Sequence, residues 1–272
     1  MDPVKKTYLY NAQAYGFSGA INRPFGHDTD VHAGTSVPTS GGFETARAEN
    51  FSLQGVASYK AAYSLVTGNK NEKDGSYNAL ATATLEGLNI LDMVTADRIV
   101  SRVASKQFID DPEPTILTIG TRIENLRVAG CPVQAEMDNE LFRKFGTYET
   151  FLAEYDKNQQ TRELIQTRLL GNKPKSDVPE FLRERYNWFD KGVFASKGIV
   201  LCTLVKNIRT DCPDVQIYGN VIVVPQFGRI YLGEFEIQRF QRTLSVFRVE
   251  LGSGVAGSAG GPGTGGGGST FP

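Results

Sequence analysis

From Val215 to Leu251 runs the longest stretch rich in Val, Ile, Phe and Tyr, cut into short runs by Gly219, Pro225, Gly228 and Gly233. That composition suits pleated strands better than helices. Tyr231, Phe235 and Ile237 share one parity and Glu234, Glu236 and Gln238 the other, which predicts a strand with one buried face and one face in water. Upstream, Thr7 to Ile21 reads as one or two strands, with Tyr8 and Tyr10 facing together and Leu9 opposite. Asn22 to Gly42 is broken by Pro24, Gly26, Gly34, Pro38 and Gly41 and reads as a turn-rich loop. Thr45 to Val66 gives a strand, a break at Gly55 and a second run whose Lys60 to Leu65 part also suits a helical turn. Ala81, Ala83 and Leu85 alternate with Thr82, Thr84 and Glu86 as in a half-exposed strand. The same alternation recurs around Leu117, Ile119 and Ile123.

The period changes at Asn139. Leu141, Phe145, Tyr148, Leu152 and Tyr155 recur at helical spacing, with Thr147 as a cap after Gly146, and Thr161 to Leu170 and Pro179 to Phe189 are further helical segments. The β pattern resumes at Val193. The chain therefore reads as mainly β, a β-sandwich or barrel-like core over residues 1–251, interrupted by a helical insertion at about 139–192. Residues 252–272 hold ten glycines and no charge, and backbone entropy predicts a flexible, disordered Gly-rich tail.

At 272 residues the chain is long enough for a large core. Its 29 basic and 30 acidic residues leave a net charge of −1, which argues against nucleic acid or an anionic membrane as general partner. Lys173, Lys175, Arg183, Arg185 and Lys191 run among the aromatics Tyr186, Trp188 and Phe189, but Glu180, Glu184 and Asp190 offset them. No apolar run of about 20 residues suggests a transmembrane segment. The first residues have lysines but no apolar core of a signal peptide.

Candidate chemistry is sparse. His27 and His32, the two histidines of the chain, flank Asp28 and Asp30. A curled loop would let His27, Asp30 and His32 converge on a divalent metal such as zinc, since imidazole and carboxylate both suit it; an ordinary solvated loop is the alternative. Cys131, Cys202 and Cys212 match no zinc spacing and read either as buried small side chains or as a Cys202–Cys212 disulfide. No nucleophile elbow, P-loop or HExxH occurs, and Asp92, Asp97, Glu234 and Glu236 are carboxylates without a pairing signal, so no enzyme and no cofactor is expected.

Three segments, LATATLEGLNILDMVTADRIVSRVASK, ENLRVAGCPV and NVIVVPQFGRIYLGEFEIQ, resemble in their order the bacterial choice-of-anchor P type domains. The resemblance implies a β-rich extracellular or cell-surface module without catalytic residues. With near-neutral charge and many strands, the chain is expected to be a structural protein that self-associates into an oligomer or filament, with Thr7 to Tyr15 exchanged between copies. A module binding a glycan or another surface protein is the alternative, with Tyr59, Tyr63, Trp188 and Phe189 as platforms.

Overall fold

Alternating runs separated by tight turns become strands throughout the chain. The structure, a computed structural model, describes residues 6–23, 26–172, 174–187, 198–253 and 255–271. At the N-terminus β1 (Thr7–Tyr15) and β2 (Phe17–Arg23) are one long strand bent at Gly16, and β3 (His27–His32) and β4 (Thr35–Ser36) run back along them. Part of the expected loop is thus an edge strand, because Thr and Val positions between its turn residues can extend against β2.

A second sheet follows as a meander. β5 (Gly42–Leu53), β6 (Ala57–Lys70), β7 (Tyr77–Ile90) and β8 (Val94–Gln107) pair antiparallel in chain order, and the Lys60 to Leu65 segment is strand. β9 (Thr115–Thr118), β10 (Arg122–Glu124) and β11 (Arg127–Val128) line the far edge of β8, and β12 (Cys131–Pro132) pairs with β11. The turn between β7 and β8 has Leu91 at φ 52° and Asp92 at φ 53°, a conformation in which Asn, Asp and Gly are usual. Asn89 holds it by accepting from Asp92 N at 2.9 Å.

β13 (Gln134–Met137) leads into the helical insertion: a 3-10 turn at Leu141–Arg143, then α1 (Tyr148–Lys157), α2 (Gln159–Leu170) and α3 (Glu180–Arg185). Thr147 caps α1 through Thr150 N at 3.1 Å. Glu113, buried before β9, accepts from Tyr148 N at 2.8 Å and Glu149 N at 3.0 Å at the same helix end, where a carboxylate also meets the favourable end of the helix dipole. Trp188, Phe189 and Lys191 lie outside the described residues, as does Lys173.

After the insertion come β14 (Val200–Thr203), β15 (Val205–Arg209), β16 (Gln216–Tyr218), β17 (Val221–Val224), β18 (Gly228–Ile237), β19 (Gln241–Ser253), β20 (Val255–Gly260) and β21 (Gly263–Phe271). β13 and β15 form a separate pair. The remainder join β1 to β4 in one sheet: β17 and β14 pair with β18, β18 with β19, β19 with β20 and β21, β20 with β2, and β21 with β1. This terminal sheet, built from both ends of the chain, packs its β1, β19 and β21 portion against β6, β7 and β8 of the meander sheet. The result is two facing sheets with a small helical insertion; they do not close into a barrel.

The Gly-rich segment is not a flexible tail: β21 sits between β1 and β19, paired with β1 from Thr7↔Phe271 to Tyr15↔Gly263, and Gly263 to Gly268 are buried. The reason is close approach between layers. Tyr8, Tyr10, Ala12 and Ala14 of β1 meet Val66, Ala79, Ala81 and Ala83 of the facing sheet. A Cβ on Gly268 would lie 1.9 Å from the Tyr8 hydroxyl, and one on Gly266 would lie 3.1 Å from Val103 Cγ1. Ladder bonds on both edges offset the entropy that ordering glycine costs.

Candidate interaction surface

Among the described residues the meander sheet packs against the terminal sheet with its inner face. Its register draws rows across the outer face: Phe43–Thr67–Leu80–Ala104–Leu117, then Thr45–Leu65–Thr82–Arg102, then Arg47–Tyr63–Thr84. The first row is apolar except for Thr67. Phe43 is 62% exposed, and Ile119 (44%) and Phe108 (41%) lie beside its Leu117 end. A shallow groove lined by Thr45, Tyr63, Leu65 and Thr82 crosses the middle of the face. Exposed apolar side chains in a contiguous row mark contact surfaces more often than scattered ones do.

Charges frame this face. Arg47 pairs with Glu49 and lies 5.1 Å over the Tyr63 ring. At the far end Lys106 reaches Asp74 at 2.8 Å and lies 5.0 Å over Phe108. Hydrogen bonds from Lys106 and then Ser76 hold the Asp74 carboxyl well below the usual carboxylate range. Among the described residues β5 is an edge strand, paired with β6 alone. An open antiparallel edge presents a row of unpaired backbone donors and acceptors.

A second polar cluster lies on the outer face of the terminal sheet, under α3. Gly233, at φ 59°, shifts the facing of β18, so that Tyr231 shares a side with Glu234 rather than with Phe235. Glu234 is therefore not on a solvent face: it is 5% exposed, with Arg185 Nε at 2.7 Å on one oxygen and Arg248 Nε at 2.8 Å on the other. Both guanidiniums flank the Tyr231 ring, at 4.8 and 3.9 Å from its centroid. Glu250 accepts from the Tyr231 hydroxyl at 2.9 Å and pairs with Arg248. Burial disfavours the Arg248 charge, but Glu234 and Glu250 outweigh it and raise its pKa. Burial and then the Glu250 carboxylate raise that of Tyr231. With both Glu234 oxygens bonded to arginine, the cluster clamps α3 to the sheet and offers no free catalytic carboxylate. Asp92 and Asp97 sit elsewhere, bonded to Asn89 and Asn125.

His27, Asp30 and His32 all fall on β3. Among the described residues no group of three His, Cys, Asp or Glu side chains is placed to hold a metal ion, and these three are not brought together. His32 turns inward, hydrogen-bonded to the Tyr59 hydroxyl and packed against Phe51 at 4.5 Å and Phe17 at 6.1 Å. An extended strand spreads along its length residues that a curled loop would gather. Tyr59 is 2% exposed and so is no glycan platform; Tyr63 faces out. Cys131 pairs with Cys212 rather than Cys202 with Cys212, while Cys202 is buried in the core with its thiol pKa pushed up by burial.

Residues 8–238 match the model of a domain family described as a domain of unknown function, DUF8256. The chain belongs to that family. No curated protein and no solved structure matches it. The matched region ends at the last residues of β18, so the DUF8256 match includes the bare face and β5 but not β19 to β21, which fill the sheet between β18 and β1. No helix among the described residues is long and apolar enough to cross a membrane.

Proposed function

We propose that the protein is a non-enzymatic structural module that self-associates into an oligomer or filament, at the cell surface or outside the cell. The observation that carries this reading is the outer face of the meander sheet, with its apolar row and open β5 edge. Near-neutral charge leaves little repulsion between copies. The Cys131–Cys212 disulfide spans 81 residues of sequence and encloses the insertion, and such bonds persist mainly in oxidising compartments, which supports an extracellular location. The Thr7 to Tyr15 strand is the less suitable contact, since it occupies its own sheet along the whole of β21.

Light scattering and negative-stain microscopy of the untagged protein across concentrations test this. Rings, fibres or a defined oligomer are expected; a monomer at every concentration defeats the reading. The alternative, a glycan- or protein-binding module, is favoured by Tyr63, which stands outward under Arg47 on the same face. It would appear as a monomer that retains polysaccharide and loses it on Tyr63→Ala.

A further inference from the structure

We propose that β5 pairs antiparallel with β5 of a second copy about a twofold axis normal to the sheet, in the register that sets Thr45 opposite Thr45. This rests on the self-association reading and specifies its contact. β5 has twelve residues from Gly42 to Leu53, among the described residues it pairs on one side only, and Glu44, Thr45, Arg47 and Glu49 are exposed along it. A twofold axis normal to the sheet keeps each residue on its own face, so it must pass through a residue rather than between two, and the register is limited to a few choices.

Charge decides among them. An axis through Glu44, Arg47 or Glu49 sets that residue against its own copy, and like charges directly opposite are destabilising. An axis through Phe43 overlaps only Gly42–Glu44. An axis through Ala48, or any later residue, needs regular strand beyond Asn50, where φ is 54°. Ala46 would place Phe43 against Glu49 and Arg47 against Thr45. Thr45 alone places Phe43, the most exposed large apolar side chain on this face, directly opposite Arg47 of the second copy, twice by symmetry. A guanidinium over an aromatic ring and a Thr–Thr cross-strand pair are both favourable. Glu49 stays with its own Arg47, which is already positioned over an aromatic ring at Tyr63.

The pairing joins the two meander sheets edge to edge with their apolar outer faces on the same side. An isologous contact closes on itself and yields a dimer; any filament then needs a second contact.

Cysteine trapping with the full chain tests the register. Directly opposed positions have Cα atoms about 4.5 to 5.5 Å apart, within disulfide reach. Cys202 is buried and does not interfere. Under mild oxidation Thr45→Cys should give covalent dimer about tenfold faster than Ala46→Cys, since one register brings only one of these pairs into reach. Phe43→Lys, which opposes Lys to Arg47, should convert the dimer to a folded monomer. Faster trapping by Ala46→Cys overturns the register. A wild-type oligomer that neither traps at Thr45 nor responds to Phe43→Lys overturns the β5 contact while leaving self-association standing. A wild-type monomer overturns both.

Discussion

The two sheets use the same strand chemistry to opposite ends. Around β18 the terminal sheet is covered on both faces, by Phe142 of the 3-10 turn against Phe235 on one and by α3 on the other, and from Ile230 to Phe235 every residue is buried. Among the described residues the meander sheet is packed against the other sheet on one face, and its outer face carries Phe43 at one end of the apolar row with Phe108 and Ile119 beside the other, all more than 40% exposed. A double-covered sheet has to satisfy polar groups internally, which is what Glu234 does between Arg185 and Arg248. A single-covered sheet that leaves apolar rows in water has surface to spare for a partner. On the proposed reading, the terminal sheet serves stability and the meander sheet serves contact.

The sharpest way to break it is to delete residues 252–272. Removal of β20 and β21 would open the sheet between β19 and β2 and between β19 and β1, and uncover Tyr8 and Ala12. The shortened chain is expected to lose its cooperative thermal transition and near-UV circular dichroism. A shortened chain that melts like wild type would mean that the terminal sheet does not depend on its Gly-rich strand.

That segment also shows where sequence reading stopped. Alternation found the meander strands because the two faces differ in burial: Ala81, Ala83 and Leu85 are buried and Thr82 and Glu86 half-buried, though Thr84 on the outer side is buried as well. Glycines carry no such pattern, and only Tyr8 of the neighbouring β1 and Val103 of the facing sheet explain why they form a strand. The β7 to β8 turn left no signal, because Leu91 and Asp92 stand where glycine or asparagine is usual. The helical insertion and its Thr147 cap were legible, since capping is a local effect. Of the candidate surface, the edge strand was visible, but the row from Phe43 to Leu117 exists only in register. Glu234 was misread as a solvent-face residue because neither Gly233's shift of facing nor Arg185, 49 residues upstream, shows in strand periodicity.

Glu234→Ala should have the next largest effect. It takes the carboxylate away from Arg185 and leaves Arg248 with Glu250 alone, both arginines being mostly buried, and loss of one partner from a buried ion cluster costs roughly 3 kcal/mol. Urea denaturation would register this as a lower midpoint with little change of slope. A shift no greater than that of a surface variant would show that α3 is not clamped by this cluster.

Paired glycine and surface variants come third. Gly268→Val forces carbon against the Tyr8 hydroxyl, an overpacking expected to cost about 2 kcal/mol. Phe43→Ser removes a large apolar side chain but from open surface, and should change monomer stability by no more than about 0.5 kcal/mol while weakening association. Equal losses in both variants would erase the distinction between a packed sheet and a contact sheet.

The smallest effect concerns pH at the border of the two sheets. His32 of β3 packs into Phe17, Phe51 and Tyr59, and burial lowers its pKa below the ordinary histidine value, with Asp30 acting weakly the other way. A base whose folded pKa is lowered binds its proton more readily when unfolded. Its contribution is therefore complete above about pH 6.5 and declines as pH falls through the lowered folded value. The melting temperature of wild type should fall further between pH 7.5 and pH 5 than that of His32→Gln, which keeps a polar group beside Tyr59 but cannot titrate. Identical pH profiles for the two proteins would remove His32 from the aromatic cluster and with it the reason that β3 closes the sheet edge instead of forming a ligand loop.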